Sequence, residues 1–326
     1  MSAATTTLAA IGLAFSLDLL IGEPPTAAHP VAWFGRLVGA VDREWRADEG
    51  LQRLVGLVVA LVLPLVPAAA AGGAVLAAGR HSTLASAVVA SLVLFLTVSL
   101  RMLLEMTREV VDATDADLEA ARESVRGLVG RDTVDLSPAE IRSAAVESAA
   151  ENLSDGLVST LLPFALLAPV SLSAAAAAAA WVKGVNTLDS MLGYRTKPIG
   201  TASARLDDAV MWLPARLTAA SIALAAADPL AAWRARRWAR VPSSPNSGWP
   251  MATLACALSV RLRKRDAYDL NPGTDLPSVA DGERAIEIVG RAAAVSVAVA
   301  GLLAVAVADR VDPLAIPSIA LSGVSP

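Results

Sequence analysis

Long apolar stretches separated by polar segments dominate the chain. Residues 54–78, 84–104 and 292–308 hold at most one charge each and approach the roughly 20 residues that a membrane-spanning helix needs. The shorter stretch 8–22 holds Asp18, lacks a basic segment before it and runs directly into polar sequence, which argues against a cleaved signal peptide. The pattern predicts an all-α, polytopic integral membrane protein with about four to five transmembrane helices.

Residues 157–181 are also long enough to span a membrane. Pro163 and Pro169 interrupt them, however, and an alanine run follows at 174–180. Proline removes a helical hydrogen bond and kinks or breaks the helix. We therefore expect two helices of about 10–12 residues, each too short to span, in a re-entrant or buried hairpin. The alternative is a straight span with a kink.

Two other segments predict helices that carry polar residues. Residues 136–155 have a defined start, because Ser137 can cap a helix, Pro138 suits its first turn and Glu140 completes a capping box. Residues 209–227 predict a helix inside the protein or at the membrane interface.

Composition supports the membrane assignment and excludes other classes. The chain is 55% hydrophobic and only 4% aromatic, and its mean hydropathy is +0.55. A net charge of −4 does not favour nucleic-acid binding. The single cysteine, Cys256, excludes an intrachain disulfide and a CxxC metal site.

Arginine-rich loops predict that the polar motifs lie on the cytoplasmic side.

Three acidic residues share one face of the helix over 136–155. Glu147, Glu151 and Asp155 are spaced i, i+4 and i+8, and like charges at this spacing disfavour a helix. A Mg²⁺ ion bridging to phosphate oxygens would offset the repulsion, since Mg²⁺ commonly uses one or two carboxylates plus a substrate phosphate. The alternative is a solvated acidic face paired with Arg142.

Polar residues resume after the alanine run. Asn186 and Asp189 are three residues apart and fall on one side of a helical turn, with Lys183 close enough in sequence to meet a phosphate or carboxylate. An N-cap and a helix-end pair are the alternative.

A further charged group contains Arg205, Asp207, Asp208 and Arg216. Adjacent aspartates point in different directions on a helix, so we expect one to face a site and the other to pair with an arginine. A structural salt-bridge network is the alternative.

Two loops carry candidate ligand-binding residues. Glu23 and His29 lie among prolines that stiffen their loop, whereas His81 falls in a short turn between helices. Asn246 lies in a turn-rich loop and has a side-chain amide suited to hydrogen bonding, although a plain turn explains it equally well.

Five segments, in order along the chain, resemble the cobalamin biosynthesis family known as CobD or CbiB. They are DLLIGEPPTAAHPVAWFGR, ESAAENLSDG, NTLDSMLGYR, ARLDDAVMWLPARL and SPNSGWP. The resemblance implies one domain over 1–326, with its motifs in 18–260 and a C-terminal membrane helix at about 287–308. It also implies that adenosylcobyric acid is joined to aminopropanol or aminopropanol phosphate, with formation of an amide bond.

The resemblance further implies ATP as co-substrate and Mg²⁺ as metal, with no bound organic cofactor. Because the chain has no phosphate-binding glycine loop, a Mg²⁺–carboxylate cluster and arginines would have to hold the nucleotide. The catalytic residues expected on this basis are Glu151, Asp155, Asp189 and Lys183. Substrate or nucleotide binding is expected from Glu23, His29, Asn152, Asn186, Tyr194, Arg195, Arg205, Arg216 and Asn246. The expected metal ligands are Glu147, Glu151, Asp155, Asp207 and Asp208.

Three positions depart from the family pattern, namely Met211, Pro242 and Met251, and they place a catalytic role for the SPN loop in doubt.

The expected location is the cell membrane, with a cytoplasmic active face, contact with the lipid bilayer and association with other membrane proteins of the pathway. Two other functions stay open from the residues alone. A membrane prenyltransferase would also use aspartates, but its second DxxxD motif is missing, and an ion-coupled transporter would not explain the GEPP and SPNSGWP loops.

Overall fold

The fold is almost entirely helical, as predicted. A computed structural model describes residues 2–43, 45, 48–128, 133–194 and 196–311. Its α-helices are α1 (Ala3–Ile21), α2 (Pro30–Gly39), α3 (Glu49–Val62), α4 (Leu65–Gly79), α5 (Thr83–Phe95), α6 (Leu100–Ala116), α7 (Leu118–Arg126), α8 (Pro138–Leu153), α9 (Ser159–Leu167), α10 (Leu172–Leu192), α11 (Thr201–Val210), α12 (Trp212–Ala225), α13 (Ala231–Ala235), α14 (Gly248–Leu258) and α15 (Val279–Val311). A short antiparallel hairpin joins β1 (Leu262–Lys264) to β2 (Tyr268–Leu270).

Four helical segments are long and apolar enough to cross a membrane: Ala3–Ile21, Glu49–Gly79, Thr83–Ala116 and Val279–Val311. They contain the four apolar stretches predicted as spans. Large apolar side chains on their outer faces, such as Leu54 and Leu76, are more than half exposed, as expected where lipid covers the protein. The C-terminal helix α15 is longer than the predicted 287–308.

Side-chain caps fix several helix starts. Ser137 accepts a hydrogen bond from the Glu140 backbone N–H and the Glu140 side chain accepts one from the Ser137 N–H, so the predicted capping box of α8 is present. The Ser171 hydroxyl caps α10 by accepting from the Ala174 N–H. Such caps satisfy backbone donors that a helix start leaves without intrahelical partners.

The segment 157–181 forms a hairpin, but the helical runs on both sides of the turn continue beyond the predicted 10–12 residues. A π-helical turn, Ser154–Val158, joins α8 to α9 without interruption, and α10 extends for 21 residues. Pro163 lies inside α9 and does not break it. The lost hydrogen bond is tolerated because its neighbours Leu161 and Phe164 are almost completely buried. The chain instead reverses at 168–171. We call α9, this turn and α10 the buried hairpin.

Small residues let α10 pack closely on α4. Ala175, Ala176 and Ala179 are completely buried, and a Cβ added to Gly72 of α4 would lie 3.1 Å from the Ala177 Cβ. Close backbone approach of this kind holds helices together in membranes, where lipid is as apolar as the helix surface. The alanine run therefore places the buried hairpin inside the helix bundle.

The end of α1 is fixed against the start of α6. The completely buried Asp18 accepts a hydrogen bond from the Arg101 backbone N–H through Oδ2, at 3.0 Å. Arg101 in turn donates through Nη1 to the Leu20 carbonyl at 3.2 Å. Gly22 follows with φ of 76°, a conformation that favours glycine. These contacts set the direction in which the GEPP loop leaves the membrane.

The junction of α5 and α6 also contacts the buried hairpin. The Ser99 N–H donates to the Gly156 carbonyl at 3.2 Å, within the π-helical turn. A Cβ at Gly156 would lie 2.9 Å from the Ser99 hydroxyl, so a larger residue here would require the Ser99 side chain to move. The residue next to Gly156 is Asp155, which this contact therefore helps to place.

The helix predicted over 209–227 is present as α12, separated from α11 at Met211. Its Ala215, Thr218 and Ile222 side chains are buried, as expected for a helix inside the protein. The β-hairpin is a feature that the all-α prediction did not include.

Candidate functional site

The buried hairpin brings Asp155 and Asn186 together. The Asn186 side-chain amide donates to Asp155 Oδ2 at 3.4 Å, across 31 residues of sequence. The two polar segments that flank 157–181 therefore lie at one end of the bundle, which we call the acidic end. At the opposite end, Ala3, Thr83 and Val170 line one shared cavity, so the tip of the buried hairpin points away from the polar residues.

Helix α11 brings two more carboxylates to the acidic end. Asp207 is 8% exposed and interacts with Asp189 and with the Asn186 amide. Asp208 accepts a hydrogen bond from the Ser244 hydroxyl at 3.2 Å. The prediction that adjacent aspartates face different surroundings is confirmed, but their predicted pairing with Arg205 or Arg216 is not found among the described residues. Asp208 bonds Ser244 instead.

Glu151, Asp155, Asp189 and Asp207 interact with one another, and we call them the acidic cluster. Glu151 also interacts with the β-hairpin. Repulsion from Glu147 and Asp189 acts on its carboxylate, while Lys264 of β1 attracts it and the Ser247 hydroxyl donates a hydrogen bond to it. Glu151 and Asp155 are half-buried.

Burial and mutual repulsion raise the pKa values of these carboxylates, which lie outside the four membrane spans. Burial first, then the Glu147 charge, raises the pKa of Glu151 to about 7. Burial and the Asp189 charge raise the pKa of Asp207 to about 7. Burial and the Asp208 charge raise the pKa of Asp189 to about 6. Near neutral pH the cluster is therefore only partly ionised, and a bound cation would favour its ionised form.

Glu147, a predicted metal ligand, accepts hydrogen bonds through both carboxylate oxygens. Its Oε1 accepts from the Ser143 hydroxyl at 2.7 Å and its Oε2 accepts from the Tyr268 hydroxyl at 2.8 Å. The Ser143 oxygen also accepts from the Arg263 backbone N–H. Both carboxylate oxygens thus join α8 to the β-hairpin, so Glu147 has a structural position.

The remaining carboxylates do not form a ready-made metal cage. Within the described ranges, no group of three or more His, Cys, Asp or Glu side chains is arranged to hold a metal ion. Asp207 nevertheless has a buried Oδ1 without a hydrogen-bond partner among the described residues. An oxygen of this kind fits a Mg²⁺ ion that takes one or two carboxylates and completes its coordination with phosphate and water.

Two predicted binding residues, Glu23 and His29, and the predicted catalytic residue Lys183 lie together beside the acidic cluster. The His29 Nε2 is 3.7 Å from Glu23 Oε2, and Lys183 interacts electrostatically with Glu23 and Asp155. The GEPP loop, far away in sequence, therefore reaches the same site as α10.

Arg216 and Asn246 bind each other. Arg216 Nη1 donates to Asn246 Oδ1 at 2.6 Å, and Asn246 Nδ2 donates to the Asp208 carbonyl at 2.7 Å. The Arg216 guanidinium also lies over the rings of Trp212 and Trp249, at 4.5 and 5.2 Å. Both side chains therefore hold the SPNSGWP loop on α11 and α12 rather than presenting free groups.

The other predicted residues lie at the edge of the site or away from it. The Asn152 amide donates within its own helix, to the Ser148 carbonyl and hydroxyl. Tyr194 is 51% exposed with Lys197 over its ring, and Arg205 is exposed. Arg195 lies outside the described residues.

Sequence reasoning missed Lys264, Ser244 and Ser247. Lys264 is part of a basic run that was used only to predict the orientation, and the two serines flank Asn246 in the SPN loop. The short strand 262–264 gave a weak signal for Lys264. Side chains alternate along a strand, so Lys264 faces the same side as the buried Leu262 and the opposite side from the exposed Arg263.

The departures from the family pattern fall on buried positions. Met211 and Met251 are 2% and 1% exposed, and the Met251 sulfur lies 3.8 Å from the Tyr268 hydroxyl. The Met211 and Met251 side chains therefore pack in the protein interior beside the site.

A family model described as CobD/Cbib protein matches residues 11–299. The chain belongs to the CobD/CbiB family. It is 35% identical over 308 residues to a probable cobalamin biosynthesis protein CobD of Methanothrix thermoacetophila, covering 89% of this chain and 95% of that relative. It is 40% identical to a cobalamin biosynthesis protein CobD of Geobacter metallireducens, covering 77% and 80%. No solved structure matches.

This CobD/CbiB chain thus places residues from all five motifs of the family at or beside the acidic end. The Klebsiella pneumoniae relative, named cobalamin biosynthesis protein CobD, is 38% identical over 86% of this chain and 90% of its own. Membership of the family does not favour the prenyltransferase and transporter alternatives.

Proposed function

We propose that this protein is an enzyme of cobalamin biosynthesis that joins an amino alcohol to a carboxylate of adenosylcobyric acid. The amine donor is aminopropanol or aminopropanol phosphate, and the product is adenosylcobinamide or its phosphate. The proposal rests on the family and on the site that its motifs assemble.

One observation carries the chemistry. Carboxylates from the π-helical turn, α10 and α11 converge around Asn186, with Lys183 and Lys264 at their edges. A site with clustered acidic groups and flanking cations suits the charges of phosphoryl transfer, in which catalysis is mainly positioning and electrostatic stabilisation.

The reaction needs activation of the acid before the amine attacks. A carboxylate oxygen of the corrin takes the terminal phosphoryl group of ATP, and ADP leaves. The amine nitrogen then forms a bond to the acyl carbon, and phosphate leaves with the electrons of the broken C–O bond. The proton lost by the amine passes to a carboxylate, and a pKa of about 7 makes Glu151 suitable as the acceptor near neutral pH.

Mg²⁺ would neutralise phosphate charge where it meets Asp207 and its neighbours. The chain's own groups do the rest. Lys183 stabilises the anionic oxygens, Asn186 orients Asp155, and Ser247 orients Glu151. The basic runs around Lys264 favour a cytoplasmic position for the site.

A direct assay tests the proposal. The purified protein in lipid nanodiscs receives adenosylcobyric acid, ATP, Mg²⁺ and either amine donor, and the corrinoids are analysed by mass spectrometry. We expect an amide product that requires ATP. Absence of product with both donors, from protein that remains folded, would refute the proposed function.

A further inference from the structure

Glu23, His29 and Lys183 form a polar group at the border of the acidic cluster. Glu23 is on the GEPP loop, His29 caps α2, and Lys183 is on the inner part of α10. We call these three residues the loop triad. Its chemistry differs from that of the acidic cluster, because it combines one acid with one cation and one neutral donor.

The position of the His29 proton follows from its hydrogen bond. Nδ1 accepts from the Val31 backbone N–H at 3.2 Å, so the imidazole is neutral and carries its proton on Nε2. Burial and the nearby Lys183 charge lower the pKa of His29, which also favours the neutral ring.

The Nε2 side of this ring has no protein hydrogen bond. His29 is 8% exposed, and its Nε2 is buried without a hydrogen-bond partner among the described residues. The Glu23 carboxylate, 3.7 Å away, is beyond hydrogen-bonding distance. A buried donor without a partner destabilises the folded protein, so a ligand that accepts this hydrogen bond would remove the unfavourable contribution.

A cavity adjoins Lys183, the residue of the loop triad that lines it, and reaches Pro30, which follows His29 in the chain. It has a volume of about 500 Å³ and extends between α2, α4 and α10, with Pro30, Phe34, Ala71, Lys183 and Thr187 among its lining residues. The wall is mainly apolar, with Lys183 as its charged side chain. Cavities of this size and character commonly bind small molecules whose few polar groups meet fixed partners.

We infer that the loop triad binds the amine donor of the reaction, with its ammonium group on Glu23 and its hydroxyl or phosphate end on His29 Nε2 and Lys183. The inference rests on the proposed function and goes further, since it assigns side chains beside the acidic cluster to the amine donor. A short aliphatic amino alcohol suits this arrangement, because its carbon chain would pack on the apolar wall while both ends meet opposite charges or donors.

Three variants test the inference in nanodiscs. Glu23→Gln removes the negative charge, and Lys183→Gln removes the positive one. His29→Asn retains a side chain that caps helices well but removes the Nε2 donor. Glu49→Gln is the matched control, since its side chain is 69% exposed in a surface ion pair.

Each variant is assayed with aminopropanol and with aminopropanol phosphate, and KM is measured separately for the amine and for the corrinoid. We expect Glu23→Gln to raise the KM of both amines at least tenfold and to leave the corrinoid KM within about twofold. Lys183→Gln should raise the KM of the phosphate ester much more than that of the free amino alcohol. His29→Asn should raise the amine KM severalfold.

Binding without turnover gives an independent readout. Aminopropanol phosphate should raise the melting temperature of the wild type and of Glu49→Gln, and should fail to do so in Glu23→Gln. Equal effects of Glu23→Gln on the amine and corrinoid KM, or an unchanged amine KM, would overturn the inference. Neither result touches the proposed function, which fails only if the wild type forms no amide.

Discussion

At the scale of residues, the acidic cluster is a source of instability that a ligand can relieve. Glu151, Asp189 and Asp207 have raised pKa values because burial and neighbouring negative charges oppose ionisation. A folded state with raised carboxyl pKa values binds protons more tightly than the unfolded state. The free energy of unfolding should therefore fall as the pH rises from about 4.5 through about 7.

This linkage gives a first prediction. The melting temperature of the detergent-solubilised wild type should be several degrees lower at pH 8 than at pH 5.5, and Mg²⁺ should restore part of the difference at pH 8. Glu151→Gln cannot ionise at this position, so its melting temperature should depend less on pH. Equal pH dependence in both proteins, or a Mg²⁺ effect of the same size at both pH values, would contradict the interpretation.

A second prediction concerns turnover. Glu151→Gln and Asp189→Asn should abolish product formation while expression and folding are retained, because the amides keep the shape but lose the charge. Glu287→Gln, whose side chain is 62% exposed, should behave like the wild type. Activity above about a tenth of the wild-type rate in both variants, a barrier change of only ~1.4 kcal/mol, would show that these charges are dispensable.

Residue types and spacing predicted which segments form the site better than they predicted the position of each side chain. The i, i+4 and i+8 spacing placed Glu147 and Glu151 on one face of α8, and they do interact. It could not show that the Ser143 and Tyr268 hydroxyls donate hydrogen bonds to the Glu147 carboxylate. The Tyr268 contact spans 121 residues and depends on an unforeseen β-hairpin.

At the scale of elements, close packing of α4 on α10 holds the buried hairpin in place. Gly72 faces α10, whereas a Cβ added to the adjacent Gly73 would meet nothing within 4 Å. The third prediction uses this pair. Gly72→Leu should lower the melting temperature by several degrees, since overpacking costs about 1–3 kcal/mol, and Gly73→Leu should change it little. Similar losses in both variants would mean that helix propensity, not packing, determines the result.

For the buried hairpin, the sequence predicted the reversal of the chain better than it predicted the lengths of the helices. The reversal of the chain was predicted because Pro163 and Pro169 interrupt the apolar stretch 157–181. The helix lengths were wrong, since proline was expected to end a helix at Pro163, where burial of Leu161 and Phe164 sustains it. Local propensity therefore yielded to tertiary packing at that position.

At the scale of the whole molecule, the acidic cluster and the tip of the buried hairpin lie at opposite ends of the bundle. The fourth prediction follows from this arrangement. In a Cys256→Ser background, cysteines at Asp135 and Ser190, both exposed, should react with an impermeant maleimide from the same side of sealed vesicles. A cysteine at Val170, which is 61% exposed, should react from the other side. If the cysteines at positions 135 and 190 were labelled from different sides, the two segments would lie on opposite faces of the membrane. One site could not then contain both.

The π-helical turn Ser154–Val158 is equivalent to one extra residue within a long helix. With 3.6 residues per turn, each residue turns the helix by about 100°. Removal of one residue here would leave a continuous helix, but α9 would rotate by about that angle relative to α8. Phe164 would then turn away from the core while Glu151 kept its place. The π-helical turn therefore changes which face of the helix points into the protein. As a result, one continuous helix directs polar side chains of α8 toward the site and apolar side chains of α9 toward the core.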